Sequence, residues 1–172
     1  MRKGYIQLYI GDGKGKTTAV IGLAIRALGA DLKVAFLQFF KPDTSSEVNI
    51  LKQFAPKLLY KNFHTEGFVR GRPSIALQNL IKEAYNFVKD LIYSHHYDLI
   101  ILDEFLYALN WQLVELNDFL QLLKSRPPGL EIAITGRTAP QELIDLADLV
   151  TEMKNIKHYY ERGVKARWGI EM

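Results

Sequence analysis

The chain has no cysteine, which removes disulfides, thiolate metal sites and thiol nucleophiles and makes a reducing compartment the simplest setting. It also lacks a long apolar run. The most apolar stretches, residues 34–40 and 99–109, are too short or too interrupted by charge to cross a bilayer. Only Arg2 and Lys3 precede a short apolar run ending at Ile10, and no small-residue cleavage site follows, so no secretory leader is expected. The expectation is a soluble cytoplasmic protein with no membrane segment. Excess charge is small as well: 22 Lys and Arg stand against 19 Asp and Glu, a net of +3. That balance suits binding of a small polyanion and is too weak to argue for nucleic acid.

What is present is a 172-residue chain with 48% apolar content, enough for one domain that buries roughly two-thirds of its unfolded surface. There are no repeats and no low-complexity tracts. Short β-branched and aromatic runs at residues 5–10, 33–39, 58–62, 98–102, 130–135 and 149–152 alternate with segments of helical period, which predicts an α/β domain with a mostly parallel sheet. Residues 17–28 read as a helix ending at Gly29. Residues 74–94 carry a helical apolar stripe from Ile75 through Leu91, and that stripe reads as core. Asn117 is the expected cap of a helix over 118–124, and Thr138 with Gln141 the expected capping box of a helix running to Ala147.

The sharpest local signal is Gly11-Asp12-Gly13-Lys14-Gly15-Lys16-Thr17-Thr18, which follows an apolar strand and opens a helix, the context of a phosphate loop. The glycines permit backbone N–H groups to turn inward around phosphate oxygens, and the helix N-terminus adds about half a positive charge beside them. Lys16 supplies a full charge, and Thr17 offers a hydroxyl to Mg2+, a hard ion that takes oxygen ligands. A bare glycine turn does not account for Lys16 and Thr17 together. The usual motif places four residues between its outer glycine and the Gly-Lys pair, whereas only Asp12, Gly13 and Lys14 intervene here.

Leu99-Ile100-Ile101-Leu102-Asp103-Glu104 is an apolar strand ending in two carboxylates, as expected of a Walker B segment beside the first strand. Parallel strands end at one edge of a sheet, so Asp103 and Glu104 are expected near the loop. There they would hold Mg2+ directly or through water, or one would act as a general base.

Four elements taken together resemble the ATP:corrinoid adenosyltransferase family. They are the short loop from Gly11 to Thr18, Leu102-Asp103-Glu104, Ile134-Thr135-Gly136-Arg137 with residues 143–148, and Lys157-His158 with Gly163-Val164-Lys165-Ala166 and Gly169-Ile170. The shortened loop combined with the closing Gly-Val-Lys-Ala-x-x-Gly-Ile segment is the specific part. The resemblance implies a three-layer, doubly wound RecA-like P-loop nucleotide-binding fold and a homodimer. It also implies transfer of the 5'-deoxyadenosyl group of ATP to cobalt(I) of cobalamin or a related corrinoid, with triphosphate released and a flavoprotein as candidate reductant. Charge then builds on the oxygen joining C5' to the triphosphate, where cations stabilise the transition state. Family members bind ATP with the triphosphate reversed relative to most P-loop enzymes, which gives the short loop a meaning.

On this resemblance Lys16 and Glu104 are the catalytic residues, and Thr17, Glu104 and Asp103 the metal ligands. The nucleotide contacts are Gly11, Asp12, Gly13, Lys14, Gly15, Lys16, Thr17, Thr18 and Arg137. Arg26 matches a family arginine near the nucleotide, and at its helical spacing it fits a surface cation equally well. Residues 64–70 resemble the family loop in which two aromatics press under the corrin. Phe68 matches the first, and Arg70 stands where the second would be; a guanidinium cannot supply the same apolar wall. The strand begins almost at once, so no preceding arm is expected to cover a corrinoid, and another segment is expected to do so.

The adjacent His95 and His96 have diverging side chains and no nearby ligand set, so they read as a surface turn. Lys154, Lys157, Arg162, Lys165 and Arg167, interleaved with Tyr159, Tyr160 and Trp168, fit a nucleic-acid patch, a site for corrinoid side chains or a partly packed terminus. The resemblance assigns this end to the same enzyme and discounts nucleic acid. Two other functions compete: an ATPase or kinase in which Glu104 prepares water or a hydroxyl to attack phosphorus, and a nucleotide-controlled binding module.

Overall fold

The apolar runs form strands and the periodic segments form helices, in strict alternation along most of the chain. A computed structural model describes residues 3–64 and 73–171. The strands are β1 (Ile6–Ile10), β2 (Val34–Phe39), β3 (Leu58–Phe63), β4 (Leu99–Asp103), β5 (Glu131–Thr135) and β6 (Leu149–Glu152). The helices are α1 (Lys16–Gly29), α2 (Ser46–Leu51), α3 (Ile75–Tyr93), α4 (Leu106–Asn110), α5 (Leu116–Lys124) and α6 (Gln141–Leu146). One six-stranded sheet runs in the order β3-β2-β4-β5-β1-β6, and every pairing is parallel.

Alternation along the strands sends side chains to two cores, because successive residues of a strand point to opposite faces. Val34 and Phe36 of β2 join Leu99 and Ile101 of β4 under α1, which contributes Val20, Ala24, Ala27 and Leu28. Ala35, Leu37 and Phe39 face the other way and join Ile100, Leu102, Ile132 and Ile134. Over them lie α3 through Ile81, Ala84 and Val88, and α5 through Phe119 and Leu123. Buried on both faces, β2 and β4 need unbroken apolar sequence, as parallel strands with helices above and below do. The result is the expected three-layer α/β architecture. Among the described residues, no helix is long and apolar enough to cross a membrane.

Three local expectations are corrected. β5 lies between β4 and β1, so the strand ending in Asp103 is not beside the first strand; strand order is set by how the crossover helices pack, not by any one strand's residues. Helix α5 begins two residues earlier than Asn117 would dictate. Its cap is Glu115, whose carboxylate accepts from the Asp118 backbone N–H at 3.1 Å. Helix α6 starts after Pro140 with no side-chain cap. Thr138 instead accepts from Asn110 Nδ2 at 3.0 Å, and Gln141 donates to Asp145 at 2.7 Å. Glu115→Ala is expected to cost about 1 kcal/mol of unfolding free energy, measured by urea denaturation, with Asn117→Ala close to neutral. The reverse order would restore Asn117 as the cap.

Candidate active site

Because all six strands are parallel, the ends of β1, β2, β4 and β5 meet at one edge, where α1 begins. Gly15 is the N-cap of α1, at φ 119°, a backbone region that glycine enters without a Cβ penalty. The other loop glycines have a different reason to be glycine. A Cβ on Gly11, itself at φ 110°, would lie 2.3 Å from the Met153 carbonyl oxygen, and one on Gly13 would lie 2.7 Å from it. The segment after β6 therefore presses directly on the loop backbone. The N–H of Gly13 donates to Met153 O at 2.8 Å and that of Gly11 to Arg137 O at 2.9 Å. These two amides thus anchor the loop outward, in place of the inward turn expected for them. Asp12 also anchors, accepting from the Asn155 backbone N–H at 3.2 Å.

Lys16 reaches back over the loop and donates to Gly11 O at 2.7 Å and Gly13 O at 2.9 Å. Burial pushes its ammonium below the ordinary lysine range; Glu104 opposes that shift, while the charges of Lys41 and Arg137 add to it. A polyanion beside Lys16 would reverse the sign of that environment. Thr17, one residue further on, donates to Asp103 at 3.0 Å to Oδ1 and 3.2 Å to Oδ2. Thr18 is exposed and borders the cleft in front of the loop, a cavity of about 640 Å3 that Lys41, Glu104 and the chain end at Gly169, Ile170 and Glu171 also line.

Asp103 is fully buried and satisfied on every side. Besides Thr17, it accepts from Thr135 Oγ1 at 2.8 Å, Gln38 Nε2 at 3.1 Å and Lys41 Nζ at 3.4 Å. Glu104 follows at φ 61°, a left-handed conformation uncommon for a residue with a side chain. Its N–H donates to Thr135 Oγ1 at 2.8 Å, and its carboxylate pairs with Lys41 at 3.1 Å. The intervening strand β5 thus supplies the hydroxyl that ties both acidic residues in place.

Lys41 and Gln38 belong to none of the motifs named from the sequence, and Thr135 enters there only within the Ile134-Thr135-Gly136-Arg137 element, with no role of its own. Gln38 and Lys41 sit at the end of β2, whose register pairs Gln38 with Asp103. The available signal was a polar residue inside an apolar run and a lysine just after it, in a strand parallel to the one ending in Asp103. Burial pushes the Lys41 ammonium down, but the charges of Asp103 and Glu104 and hydrogen bonds to both outweigh it and hold the group above the usual lysine range.

The remaining expected contacts divide. Arg137 is exposed and close enough for its charge to act on Lys16. Lys14 donates to Tyr159 Oη at 3.1 Å, Ile170 O at 3.2 Å and Glu171 Oε1 at 3.1 Å, so it is tied to the chain end that borders the cleft. Arg167 also pairs with Glu171, at 2.9 Å, and with Tyr159 it pulls the Glu171 carboxyl below the usual carboxylate range. Arg26 stands in the last turn of α1, about 15 Å along the helix axis from Lys16 at 1.5 Å per residue, and does not join the loop cluster. Phe68 and Arg70 lie outside the described residues.

A strand, glycine loop and helix with a lysine, a threonine and two strand-end carboxylates at one edge of a parallel sheet define a RecA-like P-loop nucleotide-binding protein. The flagellar accessory protein FlaH from Methanocaldococcus jannaschii has a similar fold, with a TM-score of 0.59 at 16% identity over 88% of this chain and 72% of that one. Within that class, this chain belongs to the family described as ATP:corrinoid adenosyltransferase BtuR/CobO/CobP, which matches residues 2–172. It is 32% identical to the corrinoid adenosyltransferase of Escherichia coli K12 over 98% of this chain and 86% of that protein. It is 34% identical to the corrinoid adenosyltransferase of a Sinorhizobium species over 98% of this chain and 80% of that protein. It is also 31% identical to the corrinoid adenosyltransferase CobA of Salmonella typhimurium, again over 98% of this chain and 86% of that protein.

Proposed function

We propose that this chain transfers the 5'-deoxyadenosyl group of Mg-ATP to the cobalt(I) of cobalamin or a related corrinoid and releases triphosphate. The observation that carries this reading is the whole-length family match to a chain whose phosphate-loop lysine and paired carboxylates converge on one cleft. In the reaction the cobalt(I) electron pair forms a bond to C5' of ATP. The C5'–O bond breaks, and its electrons leave on the triphosphate, so the protein's task is to hold that anion and disperse its charge.

Lys16 does this as a full positive charge on the loop, assisted by the N-terminus of α1 and the Gly15, Thr17 and Thr18 backbone. Arg137 adds charge from the end of β5. Lys14 reaches phosphate if it exchanges Glu171 for it. The hydroxyl of Thr17 and the carboxylates of Asp103 and Glu104 are hard oxygen donors of the type Mg2+ takes, and they stand within hydrogen-bonding distance of one another or of a shared lysine. When bound, the ion supplies further neutralisation of the leaving triphosphate. Asp103, fully satisfied by protein donors, supports Thr17; Glu104, with its side chain 13% exposed, is the better placed of the two to face the ligand. The enzyme acts as a cytoplasmic homodimer supplied with reduced corrinoid by a flavoprotein, and the sequence resemblance assigns Phe68 to the corrin side.

Product analysis with ATP and chemically reduced cobalamin tests the reading. Triphosphate and adenosylcobalamin in equal amounts are expected. ADP with phosphate would mark attack on phosphorus and overturn it, and ATP binding without turnover would favour a nucleotide-controlled binding module.

A further inference from the structure

We propose that Lys41 is the cation of this site, held among the oxygens that would otherwise hold a divalent ion, and that it thereby makes metal binding depend on nucleotide. The Lys41 ammonium lies 2.6 Å from Thr17 Oγ1, 3.1 Å from Glu104 Oε1 and 3.4 Å from Asp103 Oδ2. These three groups are the ones assigned above to Mg2+. An ammonium satisfies them at ordinary hydrogen-bond lengths, whereas Mg2+ needs roughly 2.0–2.1 Å to its oxygens. Two cations cannot share so small a space, since their repulsion in a partly buried site is poorly screened.

The lysine is built to move only at its tip. Its carbonyl accepts from Asn62 Nδ2 at 2.9 Å, and the N–H of the preceding Phe40 donates to Phe63 O at 3.2 Å, so the backbone is held against β3. The four-carbon stem is flexible and borders the cleft. A metal ion arriving alone must expel the ammonium from three anionic or polar partners into a cleft whose other carboxylates are Glu47 and Glu171, the latter already paired with Lys14 and Arg167. An ion arriving with a triphosphate brings the replacement partner with it. Metal and nucleotide therefore bind cooperatively, and by linkage each raises the affinity for the other by the same factor. This rests on the Mg-ATP reading of the cleft for the identity of the anion and is independent of corrinoid chemistry.

The test uses Mn2+ as the probe, with free Mn2+ followed by electron paramagnetic resonance on the full chain, first alone and then with ATP and no corrinoid. Lys41→Met is expected to bind Mn2+ alone at least ten-fold more tightly than the unaltered protein. The factor by which ATP improves Mn2+ affinity should shrink at least ten-fold, and Lys41→Arg, which keeps the charge, should behave as the unaltered chain does. Adding Glu104→Gln to Lys41→Met should cancel the gain. Unchanged Mn2+ affinity in Lys41→Met, or a gain that survives Glu104→Gln, would overturn the proposal. Lys41→Met leaves two carboxylates without their cation, so Lys41→Gln is carried in parallel. For both, Mn2+ should raise the melting temperature more than it does for the unaltered chain, and an equal rise would count against the proposal. A failed transfer assay with intact Mn2+ behaviour would reject the corrinoid reading alone.

Discussion

Lys16→Ala is expected to lower kcat/KM for ATP by about 10²–10³-fold, the range seen when one preorganised charge or donor is removed from a developing anion. The variant should stay folded. The ammonium donates to two loop carbonyls at 2.7 and 2.9 Å, but burial and the neighbouring Lys41 and Arg137 charges disfavour its charged state, so its charge contributes little to the fold by itself. A triphosphate is the partner that turns that unfavourable position into a favourable one. The measurement is initial-rate kinetics by triphosphate release, with thermal unfolding as the control. Full turnover by a folded Lys16→Ala protein would remove the role assigned here to Lys16.

Asp103→Ala is expected to act in the opposite way, on stability first. Its side chain is fully buried and accepts hydrogen bonds from Thr17, Thr135, Gln38 and Lys41. Alanine takes the acceptor from four donors on three separate segments and strips Lys41 of one of its two carboxylates. Leaving a buried donor without its acceptor costs about 1–3 kcal/mol, a large part of the roughly 5–15 kcal/mol that stabilises an ordinary domain. Urea denaturation should show that loss as a lower midpoint, and a loss below about 1 kcal/mol would mean that the network is not the anchor of this edge. Asp103→Asn should fall between, because its shape is kept while its amide N–H2 meets donors. Glu104→Gln, at the next position, should reduce turnover with a much smaller effect on unfolding.

The contrast between these neighbours shows where sequence reading stops. Both were legible as strand-end carboxylates, and their type and position were enough to bring them to the loop. Which one is wholly engaged by the protein and which one faces the cleft depends on the turn after β4, where Glu104 adopts φ 61°, and on Thr135 arriving from a strand that intervenes between β4 and β1. A threonine thirty-odd residues away carries no local mark of that role. Lys41 is a similar case, since a lysine after a strand is ordinary until β2 is known to lie beside β4. The glycines show the same limit in reverse. Their presence was read as room for phosphate, and at Gly11 and Gly13 it is room for the Met153 carbonyl.

The sequence by itself determined the alternation of buried strands and amphipathic helices, the strand–loop–helix unit with Lys16 and Thr17, and the paired carboxylates at the end of β4. Those are local facts, written in periodicity of 2 and 3.6 and in residues whose conformational or chemical properties act over a few positions. The tertiary structure alone decided the strand order, the outward anchoring of the loop by residues after β5 and β6, the tether of Lys14 to the chain end, and the placing of Lys41 between Thr17 and both carboxylates. Each of these joins residues far apart in the chain, and their proximity is fixed by how whole helices pack across the sheet, which no short stretch of sequence encodes.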